Sequence, residues 1–387
     1  MTARGPDIPN AIPHLAGNEW KYVKQCLDDN WVSTAGPWVE RFERAVAAYV
    51  NAPHAVATVN GTAALHVALL AAGVKPGDEV LVPTFTFIAT VSAVVHAGAH
   101  PVFMDAEPRS LGIDPEKLGD FLDRECEIRA GPVINRATSR VIRAVLPVHL
   151  YGHPCDLDAL DDILRRYPIV MVEDAAEALG ARYKGRPVGA HGQLSCLSFN
   201  GNKIITTGGG GMVLTHDEAL ATRVRRLTTQ SRTDPIEFVH DEAAYNYRLT
   251  SIQAALGLAQ MEQLDGFVED KRATARHYAS ALARVDGVEA MAEPPWSRST
   301  FWMATARLDP ARYPDVRGLI GAANKEGLGL RPFWHPLHRQ APFAGRQAYR
   351  IEVADRLHAR GVCLPCSVGI TPDDRDRVVT WLAAAAP

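Results

Sequence analysis

Between residues 55 and 215, short apolar β-rich runs alternate with helical stretches, and this alternation constrains the fold more than any other feature of the chain. Ala55–Val59, Glu79–Val82, Pro101–Met104, Arg143–Val148 and Ile169–Val172 read as strands, with Leu194–Phe199 and Met212–Leu214 as late strands of the same sheet. Thr62–Ala72, Ala89–Ala97 and Asp156–Arg166 read as helices, the last with Asp156 as its N-cap. Strands separated by helices need crossover connections, which cover both faces of a mostly parallel sheet. The expected class is therefore α/β. Thr250–Val285 holds no proline and reads as one long helix, with Ile252, Leu256 and Ala259 on one face, ended by Pro294-Pro295. A large α/β domain over 1–255, including an N-terminal substrate-side segment, and a smaller α+β domain over 256–387 are expected.

Composition narrows the function. With 41 Lys+Arg against 44 Asp+Glu, the net charge is −3, a poor match to nucleic acid or to an anionic membrane surface. No apolar run approaches the ~18 residues that span a bilayer, and Met1–Pro13 lacks the order of a signal peptide. Of six cysteines only Cys363 and Cys366 are close together, and the 14 histidines show no metal-ligand spacing. A cytoplasmic enzyme without a metal, its cysteines free on or near buried strands, is expected.

Three segments carry candidate chemistry on their own residues. Asn60-Gly61-Thr62 follows a strand and opens a helix, where free N–H groups either bind a phosphate or are simply capped. Glu173-Asp174 follows the strand Ile169–Val172; Asp174 there faces a ligand beyond the carboxyl end of the sheet, or favours a helix start. Lys203 lies in a nearly uncharged, glycine-rich stretch, surroundings that suit a Schiff-base nucleophile better than a solvated surface charge. Gly208–Gly211 precedes a strand and is no nucleotide loop; a turn bringing backbone near a ligand fits it. No G-x-S-x-G elbow supports a serine hydrolase.

Together, Asn60-Gly61-Thr62-Ala63-Ala64-Leu65, Pro83-Thr84-Phe85-Thr86-Phe87, Glu173-Asp174-Ala175-Ala176-Glu177, Ser198–Lys203 and Tyr245-Asn246-Tyr247-Arg248-Leu249 resemble, in order, the DegT/StrS-type nucleotide-sugar aminotransferases. That resemblance implies the aspartate-aminotransferase fold (fold type I) and pyridoxal 5′-phosphate, with pyridoxamine 5′-phosphate as its alternate form. It implies Lys203 as the Schiff-base lysine and proton shuttle, Asp174 as partner of the ring nitrogen, and Glu177 near the ring. Phe87 would be the stacking aromatic; Gly61, Thr62 and Ser198 would hold the phosphate. Asn246 would reach the cofactor of a second subunit in a homodimer with shared sites. Arg248 would help there or bind the donor carboxylate.

The segments Gly17–Lys24, Asn30–Ser33 and Asn200–Gly211 are similar to the branch of 4-aminotransferases for legionaminic acid and N-acetylbacillosamine. This implies an L-glutamate donor and a UDP- or GDP-linked 4-keto-6-deoxy-N-acetylhexosamine, with Trp31, Ser33 and Thr34 near the sugar. A C3-keto aminotransferase is the alternative; a catalytically silent binding protein is a further one. A sugar dehydratase of this fold carries histidine where Lys203 stands. Leu330–His338 is dense in aromatics and histidines. Arg331, His335 and His338 are candidates for the sugar diphosphate, unless the stretch is an aromatic hinge.

Overall fold

The computed structural model describes residues 7–234 and 236–385. Seven strands form the core of a ten-stranded sheet: β1 (His54–Thr58), β2 (Glu79–Pro83), β3 (His100–Met104), β4 (Val141–Val145), β5 (Val170–Asp174), β6 (Leu194–Ser198) and β7 (Gly211–Thr215). Their spatial order is β1-β7-β6-β5-β4-β2-β3, with Ala348–Tyr349 beyond β3 and the strands Cys126–Ile128 and Val133–Asn135 joined at β4. Pairings from β6 through β3 are parallel. β7 runs antiparallel to both β1 and β6, which leaves β1 pointing the same way as the parallel set.

Side chains alternate across a strand, so the sheet feeds two apolar cores. Leu81, Val102 and Met171 enter one; Val80, Val82, Phe103 and Val172 enter the other. Burial on both faces explains why these strands are uninterrupted apolar runs.

The expected helices are present as Gly61–Ala71, Ile88–His96 and Leu157–Leu164; Asp156 caps the last through the Ala159 amide. The long helix expected over 250–285 is two helices, Ser251–Met261 and Leu264–Leu282. The break has a polar cause. Gln260 and Gln263 both donate to Glu19 Oε1, at 2.6 and 2.8 Å, and Glu262 accepts from Asn18 and Tyr22. Those bonds tie the turn to the N-terminal helix Glu19–Asp28. Position 255 lies inside the first of the two helices.

A second sheet, antiparallel throughout, is ordered Val288–Ala290, Ala304–Leu308, Gly361–Leu364, Arg331–Pro332. The N-terminal segment pairs with this part of the chain: Ile8 bridges Leu328, and the Cys366 amide donates to Asn10. All six cysteines are free and buried. Among the described residues no helix is long and apolar enough to cross a membrane, and no group of three or more His, Cys, Asp or Glu is arranged to hold a metal ion.

Candidate active site

The carboxyl ends of β1, β2, β5 and β6 point to one side of the sheet, and the segments that leave them enclose a cavity of about 350 Å³. β1 delivers Gly61 and Thr62, β2 delivers Phe87, β5 ends in Asp174, and β6 ends in Ser198 and leads to Lys203. Glu177 lines the same space.

Asn60 caps the Gly61 helix, its Oδ1 accepting the Ala63 amide at 2.8 Å. The Gly61 and Thr62 amides, in the first turn, have no intrahelical acceptor and lie at the positive end of the helix dipole. Gly61 is required by space: a Cβ there would stand 2.8 Å from Ser198 Cβ. Within the chain, two glycines of the run are required by packing. A Cβ on Gly211 would lie 2.5 Å from the Asn60 backbone and one on Gly210 would lie 2.2 Å from Thr207 Oγ1. Gly211 thus lets β7 press the Asn60 turn into place.

Asp174 is buried. Its Oδ2 accepts the Thr90 hydroxyl at 2.7 Å and its Oδ1 accepts the Ala176 amide at 3.1 Å. Burial pushes its pKa up, against the pull of Thr90, the Ala176 amide and Lys203. Glu177 is likewise raised by burial, with Lys203 and the Tyr151 amide opposing. Its Oε1 stands 3.5 Å from Lys203 Nζ, and its Oε2 accepts the Tyr151 N–H at 2.7 Å. Tyr151 presents that N–H from a left-handed backbone (φ 54°), a conformation that costs a bulky residue roughly 1–3 kcal/mol.

Behind Asp174, Glu173 occupies the opposite face of β5. Burial alone would raise it. The His149 hydrogen bond, followed by His191 and Ser195, holds it below the ordinary carboxylate value. The Cys155 amide donates to His149 Nδ1 at 3.1 Å, so this ring is the neutral Nε2–H form, donating to Glu173.

The ceiling comes from far along the chain. The Trp302 ring centroid lies 4.1 Å from Lys203 Nζ, and its indole N–H donates to the Asn202 carbonyl at 2.7 Å. Buried Lys271 donates to the Trp302 and Cys366 carbonyls and fixes that strand end. Trp334 packs on Phe87, centroids 5.1 Å apart. Sequence reasoning misses Thr90, Tyr151, Trp302 and Lys271. None lies in a chemical motif, although the Trp334 stretch stands out as aromatic.

The substrate-side candidates divide. Arg331 and His335 line a neighbouring, larger cavity. His338 lies outside both cavities, its Nδ1 bound to Thr84 Oγ1 at 2.7 Å, a structural contact that holds the chain after Pro336 against β2. Trp31, Ser33, Asn246 and Arg248 are exposed, Thr34 is half-buried, and none of them lines either cavity of its own chain.

A mostly parallel sheet whose carboxyl ends gather a lysine, a buried acid and an open helix start defines a pyridoxal-phosphate-dependent enzyme of fold type I. The chain belongs to the DegT/DnrJ/EryC1/StrS aminotransferase family, whose profile matches residues 13–383. It is 39% identical over 378 residues to GDP-perosamine synthase of Caulobacter vibrioides, covering 97% of this chain and 98% of that protein. It is 37% identical to the putative pyridoxal phosphate-dependent aminotransferase EpsN of Bacillus subtilis, covering 96% and 93%. The crystal structure of DesI with its TDP-sugar product superposes with a TM-score of 0.86 at 28% identity, over 98% and 92% of the two chains.

The cavity's donor set suits pyridoxal phosphate. Helix-start amides and a hydroxyl answer a phosphate, a buried carboxylate at the cavity wall answers a ring nitrogen, and Phe87, 47% exposed, offers a flat face.

Proposed function

We propose that this aminotransferase moves the amino group of L-glutamate to the C4 ketone of a GDP- or UDP-linked 4-keto-6-deoxy sugar, in a homodimer. The carrying observation is the convergence of Lys203, Glu177 and Asp174 in one cavity at the carboxyl ends of the strands. The name of the Caulobacter relative, GDP-perosamine synthase, supports a GDP-linked acceptor; the N-acetyl group remains part of the proposal.

When bound, pyridoxal phosphate supplies an aldehyde that captures amines and a ring that accepts an electron pair. Lys203 Nζ anchors it and moves the proton that transamination takes from one carbon and returns to another. Gly61, Thr62 and Ser198 bind the phosphate. Asp174 holds the proton on the ring nitrogen, and that cation is the partner its buried carboxylate needs. Thr90 aims Asp174, Glu177 steadies the Lys203 amine, and Phe87, Trp302 and Trp334 exclude water. Asn246, exposed on its own chain, reaches the second subunit's site.

The test is the half-reaction with glutamate, followed by GDP- and UDP-linked 4-keto and 3-keto sugars, with and without an N-acetyl group. A C4 amine is expected. A C3 amine, or no product from any 4-keto sugar, refutes the proposal.

A further inference from the structure

Trp302 lies just before the strand Ala304–Leu308 of the second sheet, yet its side chain lines the catalytic cavity. It is 1% exposed and meets the Lys203 segment at two places. Its indole N–H donates at 2.7 Å to the carbonyl of Asn202, the residue before Lys203. Its ring centroid lies 4.1 Å from Lys203 Nζ, and Glu177 Oε1 stands 3.5 Å from the same amine.

Three features hold the indole in this place. First, Phe301, immediately before it, has a left-handed backbone (φ 48°), which bulky residues rarely adopt. Second, Lys271 is buried and makes no ion pair with a carboxylate among the described residues. Its Nζ donates instead to the Trp302 carbonyl at 3.0 Å and to the Cys366 carbonyl at 2.8 Å. Buried lysines without a counter-ion are rare. Third, Tyr151 stacks on the indole, with centroids 6.4 Å apart and 25° between the planes, and the Met303 amide donates to the Tyr151 carbonyl at 3.4 Å. Ordinary core packing needs neither a left-handed phenylalanine nor an unpaired buried lysine. Costly local features of this kind gather where a site depends on them. Together they set one aromatic face against one amine.

We infer that Trp302 is a positioning residue for Lys203, holding its amine in the cavity whenever the lysine is not joined to the cofactor. A transaminase alternates between an aldehyde form of the cofactor, which the lysine bonds, and an amine form, which leaves the lysine free. The face of an aromatic ring attracts an ammonium, most strongly where water is excluded. Only the free lysine is an ammonium, so the ring contact weights the amine form of the loaded enzyme over the aldehyde form. The Asn202 bond fixes the backbone from which the lysine swings and acts on both forms alike. The inference rests on the proposed role of Lys203 as the lysine that bonds the cofactor, but its test needs neither glutamate nor a sugar.

The test titrates the full-length protein, freed of cofactor, with pyridoxal 5′-phosphate and with pyridoxamine 5′-phosphate, and compares the ratio of the two dissociation constants between variants. A general loss of packing weakens both ligands together and leaves the ratio where it was. Loss of the ring contact favours the aldehyde form alone. Trp302→Leu should shift the ratio roughly 5- to 30-fold toward pyridoxal phosphate, the scale of a desolvated cation–π contact. Trp302→Phe keeps a ring and should shift it by less. Melting temperatures confirm that each variant folds. A leucine ratio within twofold of wild type, a shift toward pyridoxamine phosphate, or a phenylalanine variant that matches leucine overturns the inference. If leucine prevents folding, phenylalanine decides alone, and an unchanged ratio overturns it. Borohydride reduction of the loaded wild type, with the modified lysine located by peptide mass spectrometry, tests the role of Lys203 separately. Another lysine there refutes that role and the inference with it; Lys203 there with an unmoved ratio refutes the inference alone.

Discussion

Replacing Thr90 with valine removes one oxygen and keeps the shape of the side chain. Thr90 sits in the helix Ile88–His96 and its hydroxyl donates to Asp174 Oδ2 at 2.7 Å; Thr86 Oγ1 is 3.2 Å from the same hydroxyl. Valine leaves Asp174 with the Ala176 amide as its remaining hydrogen-bond donor among the described residues. Hydrogen bonds to charged groups contribute about 1.5–3 kcal/mol. If that energy holds Asp174 ionised against the ring nitrogen, Thr90→Val slows the glutamate half-reaction by roughly 10- to 150-fold. Stopped-flow absorbance under single-turnover conditions measures this step without the acceptor. Thr90→Ser, which keeps the hydroxyl, should restore most of the rate. A Thr90→Val rate within twofold of wild type, or a serine variant as slow as valine, refutes the positioning role.

Other outcomes follow from contacts described above. Lys203→Ala should lose turnover, and mixing it with an inactive Asn246 variant should recover part of the activity if each site draws on two chains; no recovery under demonstrated subunit exchange removes Asn246 from a shared site. Tyr151→Phe leaves the Trp334 amide without its hydroxyl acceptor (3.1 Å) and should cost about 1–3 kcal/mol, read from the urea unfolding midpoint. Asp105 is fully buried, and although burial raises its pKa, Lys117 and the amides of Val353, Ala354 and Glu352 hold it below the ordinary carboxylate value. Because its pKa is depressed on folding, its contribution is complete above about pH 4 and is lost as pH falls through the folded-state value. Asp105→Asn should therefore lower stability at neutral pH and flatten the acid limb of the stability profile; an unchanged limb refutes this.

The central strands were legible because burial on both faces writes them as apolar runs, as in Ile169–Val172. Gly61, Thr62, Phe87, Asp174, Glu177, Ser198 and Lys203 line one cavity because each lies at a strand end or just after one, and strand ends are visible locally. What lay beyond reach is long-range. The helix break at 262–263 depends on Glu19, more than 240 residues away, and helical periodicity carries no trace of it. Trp302 looks like a core aromatic until the second sheet brings it over Lys203. Thr90 reads as an ordinary helix residue until Asp174 meets it. Asn246, Arg248, Trp31 and Ser33 face outward on a single chain, so their part is a question about the assembly.

The placement of Trp302 over the lysine, with Trp334 lining the same cavity, also sets a schedule. During synthesis Lys203 and its strands emerge first, and Trp334 follows more than a hundred residues later, a lag of roughly 5–25 s at ordinary elongation rates. For that interval the nascent chain carries a floor without a roof. A chain released before the second sheet is complete would hold its cofactor-facing residues on an open surface, with water reaching Lys203 from the side that Trp302 covers in the finished fold.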